Sequence, residues 1–166
     1  MTSPLTRQRQ RKNKAGICLL CFFCFLCFSC ERGLVYNQYQ RTENSVWEKE
    51  REYAFTFTID DETTTYDISF EVRNNSLYPY RNLWIFCDGK SPSGNLLRDT
   101  MECMLADEFG KWSGKGISLY QSSFPLHTGY KFPHKGQYTI NFRQGMRNDA
   151  LKGIPEIGLR IEKSKY

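Results

Sequence analysis

The sequence predicts an all-β fold, a single antiparallel β-sandwich domain of about seven to eight strands. Three observations lead to this prediction. Short segments alternate apolar and polar residues, clusters of turn-forming residues separate them, and no long segment shows the 3.6-residue period of an amphipathic helix. The chain also contains 12 Phe and 10 Tyr, residues that favour sheets. Without crossover helices, parallel strands are not expected.

Seven segments are predicted as strands. The alternation is clearest in EYAFTFTI (52–59) and TYDISFEVR (65–73), where aromatic and aliphatic residues occupy every second position. NLWIFCD (82–88) is almost wholly apolar, which is typical of a central strand. The turn-forming run GKSPSGN (89–95) follows it. The remaining strands are LLRDTMECML (96–105), GISLYQS (116–122), YTINFRQ (138–144) and IGLRIE (157–162), whereas MRNDAL (146–151) is at most a single helical turn.

Residues 1–29 are predicted to form a cleaved signal peptide. Five basic residues precede an apolar stretch that runs from Ala15 to Ser29. Cysteine recurs at every third position from Cys18 to Cys30, but bulky apolar spacers without glycine do not suit a metal or iron–sulfur site. The stretch is shorter than the ~20 residues of a membrane-spanning helix, which makes a retained anchor the alternative.

Cys30 is the expected site of lipid attachment. The small residue Ser29 directly precedes it, and the chain becomes polar immediately after it. Acyl chains on this sulfur would anchor the protein to a membrane. Residues 30–50 show no sustained period and are predicted to be the lipidated N-terminus and a tether, and 51–166 are predicted to form the sandwich.

The basic charge of the chain belongs to the predicted signal peptide. Five of the 23 Lys and Arg residues precede Cys30 and none of the 18 Asp and Glu residues does, so the mature chain has 18 of each sign. No basic stripe with interleaved aromatic residues remains. Nucleic acid is therefore not an expected partner.

No constellation of residues predicts an enzyme. His127 and His134 lie seven residues apart in a loop-like stretch without a nearby carboxylate, and a zinc site needs more ligands. The segment 110–116 lacks the spacing and the Ser or Thr of a phosphate-binding loop. We expect a non-enzymatic protein with no metal, no cofactor and no small-molecule substrate.

Cys87 and Cys103 lie on consecutive predicted strands. A hairpin centred near Asn95 would place them opposite each other, where an oxidising compartment favours a disulfide. The alternative is that both are buried thiols that act as small apolar side chains.

Four long stretches resemble the GldH family of gliding-motility lipoproteins of Bacteroidetes. They are RNNSLYPYRNLWIF (73–86), DTMECMLADEFGKWSGKG (99–116), KFPHKGQYTINFRQGMRND (131–149) and GIPEIGLRIEK (153–163). The resemblance implies an envelope lipoprotein linked to gliding and type IX secretion, lipid attachment at Cys30, other envelope proteins as partners and no catalytic residues.

The resemblance also implies two finer expectations, one on location and one on modification. The acidic run that marks surface export in this group is absent after Cys30, which favours the periplasmic face of the outer membrane. Asp99-Thr100-Met101 resembles the O-glycosylation motif of these bacteria, so Thr100 is a candidate glycan site.

Four aromatic residues in predicted loops or beside them are the candidate interaction surface: Tyr78, Tyr80, Trp112 and Tyr120. Exposed aromatic side chains are typical binding hot spots. Two alternatives stay open. The rings cap the ends of the core, or they form a platform in a carbohydrate- or peptidoglycan-binding module.

Overall fold

Ten β-strands make up the part of the chain that the computed structural model describes, residues 33–165, with the side chains of 95–97 outside the description. The predicted signal peptide and Cys30 lie outside the described residues. The strands are β1 (Leu34–Arg41), β2 (Val46–Glu48), β3 (Tyr53–Ile59), β4 (Tyr66–Asn75), β5 (Asn82–Ser91), β6 (Gly94–Met104), β7 (Leu119–Tyr130), β8 (Gly136–Gln144), β9 (Ala150–Lys152) and β10 (Glu156–Lys163). In this part of the chain there is no helix that could span a membrane.

The strands form two four-stranded antiparallel sheets and one short ribbon. Sheet I has the order β1-β10-β4-β7, sheet II has the order β3-β8-β5-β6, and β2 pairs with β9. This arrangement confirms the predicted all-β antiparallel sandwich. All seven predicted strands are present, and the extra ones are β1, β2 and β9.

The core lies between the inner faces of the two sheets. The inward residues of β3 and β4 are buried as the alternation predicts: Tyr53, Phe55, Phe57 and Ile59 on β3, and Tyr66, Ile68, Phe70 and Val72 on β4. Phe70 of sheet I meets Phe142 of sheet II at a ring-centroid distance of 4.8 Å. Each such side chain stabilises the fold by about 1.5–3 kcal/mol through burial.

Strand β5 is central, as predicted, because it lies between β8 and β6. It is buried on one face only, although its sequence is apolar on both. Leu83 and Ile85 face the core, whereas Trp84 and Phe86 point to the outer face and are 39% and 40% exposed. Burial therefore alternates along β5 although the residues do not alternate in polarity, and two aromatic side chains lie in solvent.

The predicted tether is wrong for residues 34–48. Strand β1 pairs with β10 along the edge of sheet I, and Trp47 is fully buried in the core. The Trp47 indole donates to the carbonyl oxygen of Arg51 at 3.0 Å. The pattern failed because β1 is an edge strand whose residues are mostly exposed. Only its Tyr36 ring contacts a core ring, Phe57, at 5.7 Å.

The predicted helical turn at MRNDAL is also wrong. Its last two residues begin β9, where Leu151 is buried opposite Trp47. The weak strand predicted over 116–122 is real but longer, since β7 runs from Leu119 to Tyr130. Proline at position 125 and polar residues hid this extension, and proline is tolerated because β7 is an edge strand.

Candidate functional site: an apolar end of the sandwich

The four predicted surface aromatics lie together in one chain of ring contacts, the aromatic cluster. Tyr78 is central, with ring-centroid distances of 5.7 Å to Tyr80 and 6.4 Å to Trp112. Trp112 continues the chain to Tyr120 at 5.8 Å. These rings come from two loops and the start of β7, so a surface expected from separate sequence segments is contiguous in space.

Most of the aromatic cluster is packed inward. Tyr78 is only 2% exposed, its hydroxyl donates to the carbonyl oxygen of Asn82 at 2.8 Å, and burial raises its pKa. Tyr80 and Trp112 are half-buried against the core, and Tyr80 donates to Asn148 Oδ1 at 2.8 Å. The cluster therefore caps this end of the core, and Tyr78 is not available to a partner.

Apolar side chains project from the same two loops. Leu77 in the loop 76–81 is 69% exposed, and Phe109 and Ile117 in the loop 105–118 are 87% and 93% exposed. Both loops leave the same end of the sandwich, because β4 ends beside the start of β7 and β5 starts beside the end of β6. We call Leu77, Phe109 and Ile117 the apolar tips.

Local hydrogen bonds hold the tips out. Asp107 Oδ1 accepts the backbone N–H groups of Phe109 at 3.0 Å and Lys111 at 2.9 Å, and Asn75 Oδ1 accepts that of Leu77 at 2.9 Å. Such Asp and Asn turns fix short loops. The two loops that carry the apolar tips are therefore held in place by their own hydrogen bonds, without a partner.

A glycine is required next to the third tip. Gly116 has a φ of +138°, and a Cβ placed on it would lie 1.9 Å from the carbonyl oxygen of Leu119. A side chain would displace the backbone at the start of β7. The chain therefore folds back tightly here and leaves Ile117 at the surface.

The two loops that carry the apolar tips contain three basic residues and two acidic ones, Asp107 and Glu108. Arg81, Lys111 and Lys115 lie in the two loops, and none of them has a carboxylate partner among residues 33–165. The carboxylate of Asp107 is occupied by backbone N–H groups. Glu108 beside Phe109 is exposed, so the end as a whole is an apolar surface bordered by charged residues of both signs.

Sequence reasoning missed the exposed aromatic residues of β5. Trp84 and Phe86 were expected inside a central strand, but they lie on the outer face of sheet II. No local signal distinguished the two faces of β5, because every residue from Leu83 to Cys87 is apolar.

Of the two alternatives for Cys87 and Cys103, the structure has the second, because both are free buried thiols and form no disulfide. Cys87 pairs with Asp99 and Cys103 with Leu83, so the two are four positions apart along the ladder. The hairpin turns at Pro92-Ser93 rather than near Asn95. Burial raises the pKa of both thiols to about 12. They act as small apolar side chains.

The other candidate residues are scattered. His127 lies on β7, contrary to the predicted loop, with its ring 5.3 Å from that of Tyr130. His134 lies in the loop 131–135 at the opposite end. Thr100 is exposed on β6 opposite Phe86, so its hydroxyl group is accessible and the glycan there stays a prediction. Within residues 33–165, no three His, Cys, Asp or Glu side chains come close enough to hold a metal ion.

Comparison with known proteins agrees with the resemblance. The family described as GldH lipoprotein matches residues 34–161. A gliding motility lipoprotein GldH homolog of Christiangramia forsetii is 32% identical over 138 residues, 78% of this chain and 84% of that protein. Gliding motility lipoprotein GldH of Flavobacterium johnsoniae is 31% identical over 160 residues, 92% of this chain and 98% of that protein.

One solved structure shares a weak likeness. Chicken MD-1 complexed with lipid IVa covers 78% of this chain and 98% of its own, at 13% identity and a TM-score of 0.32. That score is too low to bear on function.

The family match includes strands of sheet I, of sheet II and of the two-stranded ribbon. Its name and those of the relatives link it to gliding motility, and a lipoprotein family implies a membrane-anchored place in the cell envelope. The chain is a member of the GldH lipoprotein family.

Proposed function

We propose that this chain is a non-enzymatic docking lipoprotein, an accessory component of the gliding or type IX secretion machinery. The observation that carries the proposal is the set of apolar tips, Leu77, Phe109 and Ile117, held in solvent around a core that is already closed. Three such side chains in two adjacent loops are not needed to complete the core. They are the material of a binding surface.

The aromatic cluster supports this role because it already closes the end of the core. Tyr78 and Trp112 fill the end of the core, so the apolar tips have no inward position to collapse into. A partner that covers the tips gains about 25 cal/mol for each Å² of apolar surface removed from water. Because the loop is fixed before binding, little of this gain is lost in ordering it.

The partner that fits is an envelope protein with an apolar depression bordered by charged residues. Arg81, Lys111 and Lys115 lie with Glu108 in the loops of the apolar tips, and opposite charges at matching positions on the partner would steer the encounter and fix its orientation. A membrane surface offers no such fixed pattern of both signs. The proposal therefore assigns the apolar tips to a protein.

Support for a non-enzymatic role comes from the placement of the titratable groups. His127 and His134 lie on different elements, and the thiols of Cys87 and Cys103 are buried with raised pKa values. A nucleophile with a pKa near 12 is protonated at neutral pH and unreactive. These placements support the proposal of a binding role over a catalytic one.

The proposed location is the periplasmic face of the outer membrane, with the lipid on Cys30. The support is the sequence after Cys30, Glu31-Arg32-Gly33, which lacks an acidic run. Protease added to intact cells should spare the domain, and permeabilised cells should lose it. Cleavage in intact cells would contradict this orientation.

The docking role is tested by replacing Phe109 and Ile117 together with serine in the native host. After crosslinking, the wild-type protein should carry one defined envelope partner, and the double variant should lose it while remaining in the membrane fraction. The matched control is Val35→Ser, an apolar residue exposed on β1 away from the apolar tips. Retention of the partner by the double variant, or its loss in Val35→Ser, would contradict the proposal.

A further inference from the structure

A cleft of about 540 Å³ opens on the outer face of sheet II, apart from the apolar tips. Its walls include Tyr80, Asn82, Trp84, Met146, Arg147 and Asn148. A volume of this order suits a small ligand or part of a chain of small units. A stable protein partner would need a contact surface of about 800 Å² on each side. A concave cleft of this size does not provide such a surface.

The cleft is rigid because the loop 145–149 is bonded to β5. The Trp84 carbonyl oxygen accepts the N–H of Gly145 at 2.7 Å, and the Trp84 N–H donates to Met146 Sδ at 3.3 Å. The buried Gln144 amide donates to the Asn148 carbonyl oxygen and accepts the Met146 N–H, both at 2.8 Å. A Cβ on Gly145 would lie 3.3 Å from the Trp84 Cβ and 3.3 Å from the Phe86 ring, so glycine lets the loop approach the strand.

Polar groups in the cleft retain unused hydrogen-bonding capacity. Asn148 accepts from Tyr80 through Oδ1, which leaves its amide N–H groups free. Asn82 donates to Glu102 through Nδ2, which leaves its Oδ1 free. Arg147 has no side-chain hydrogen bond or ion pair with residues 33–165. Donors and an acceptor therefore surround an exposed indole ring.

We propose that this cleft binds a saccharide. The apolar C–H face of a sugar ring would stack on Trp84, whose side chain is 39% exposed. Sugar hydroxyls both donate and accept, which matches the free groups of Asn82 and Asn148, and Arg147 would bind a hydroxyl or a carboxylate. The site goes beyond the docking function and is separate from the apolar tips.

A peptide fits the cleft less well. An extended peptide binds best by adding its backbone to a sheet edge, and β5 is already paired on both sides. The free polar groups at this site are side-chain amides and a guanidinium, which recognise hydroxyls and carboxylates. The geometry therefore favours a ligand with many hydroxyl groups.

The test uses the full-length lipoprotein in detergent micelles and two probes, an array of immobilised oligosaccharides and purified peptidoglycan sacculi. The wild type should be retained on at least one of them. Trp84→Ala and Arg147→Ala should each weaken that binding about tenfold or more. Lys90→Ala is the control, because Lys90 is exposed on the same strand as Trp84 but lies outside the cleft. It should bind like the wild type.

Several results would overturn the inference. They are no retention of the wild type on either probe, undiminished binding by Trp84→Ala, or an equal loss in Lys90→Ala. A protein partner that requires Trp84 while no glycan binds would also overturn it. If Trp84→Ala lowers the melting temperature, Arg147→Ala decides, since its side chain has no partner in the described fold. Binding to sacculi and binding to free glycans distinguish peptidoglycan from a surface polysaccharide as the source.

Discussion

The two ends of the sandwich are closed by the same means but present different surfaces. At the end opposite the apolar tips, Phe132 in the loop 131–135 is buried, with its ring 5.4 Å from that of Tyr66 and 4.8 Å from that of Tyr138. No large apolar side chain is exposed within residues 60–65 or 131–135. At the other end Tyr78 and Trp112 close the core in the same way.

The difference shows which apolar residues serve the fold. A buried aromatic side chain that closes an end of the core is called a plug here. Phe132 alone closes one end, and Tyr78 and Trp112 form the plug at the other. The apolar tips are additional to the plug at their own end, so folding gives no reason for them. Each side chain there belongs either to the plug or to the surface, and substitutions separate the two sets.

The largest expected effect is loss of the plugs. Phe132→Ala should lower the free energy of unfolding by roughly 3–5 kcal/mol, because it removes a fully buried ring. Trp112→Ala should cost less, since Trp112 is only half-buried. Urea titration of the full-length protein measures both. A Trp112→Ala protein as stable as the wild type would place Trp112 in the surface and weaken the comparison.

A smaller loss is expected at Cys103, which lies under the end that carries the apolar tips. Cys103→Ser should lower the free energy of unfolding by roughly 1–3 kcal/mol, because a hydroxyl would be buried there in an apolar site. Cys103→Ala is the control. Without reductant, alkylation should label neither Cys87 nor Cys103 in the native protein and both after denaturation. Label on native Cys103 would mean that this end of the core opens.

Serine at the apolar tips should hardly change stability. Phe109→Ser and Ile117→Ser replace residues that are almost fully exposed, so the free energy of unfolding should stay within about 0.5 kcal/mol of the wild type. The same urea titration applies. A loss above 1 kcal/mol would mean that the tips serve the fold and would remove the main reason for the docking proposal.

The smallest effect concerns Asp61 in the loop 60–65, at the end opposite the apolar tips. The side chains of Thr63 and Thr64 donate to Asp61, and these hydrogen bonds hold its pKa below the ordinary value of 3.8. Because the folded pKa is lowered, the stabilisation is present above pH 3.8 and is lost as the pH falls further. Melting temperatures from pH 7 to 2 should therefore fall more for the wild type than for Asp61→Asn. Parallel curves would contradict this.

The fold was largely predictable because the core strands alternate clearly. Residues of β3 and β4 such as Phe55 and Phe70 were placed correctly by a two-residue period. Strand β1 was not predicted, because it buries little and its pairing with β10 joins residues more than 100 positions apart. The turn between β5 and β6 was predicted about two residues too late in the chain. Cys87 and Cys103 therefore do not lie opposite each other.

The candidate site was predictable in part. The aromatic residues Tyr78 and Trp112 stood out as loop aromatics, but their burial depends on tertiary contacts that no local pattern encodes. Glu71 shows the same limit, because its position on the outer face of sheet I predicts exposure. It is instead buried, where it accepts hydrogen bonds from Tyr39 and Ser123. Exposure of Phe109 and Ile117 was visible only in three dimensions.

The most direct test of the docking claim is site-specific photocrosslinking in the native host. A photoreactive amino acid replaces Ile117 at the apolar tips or, as the control, Lys135 in the loop 131–135 at the opposite end. The account predicts one discrete protein adduct from position 117, the same adduct from position 109, and none from position 135. Equal adducts from both ends, or only lipid adducts from position 117, would contradict it.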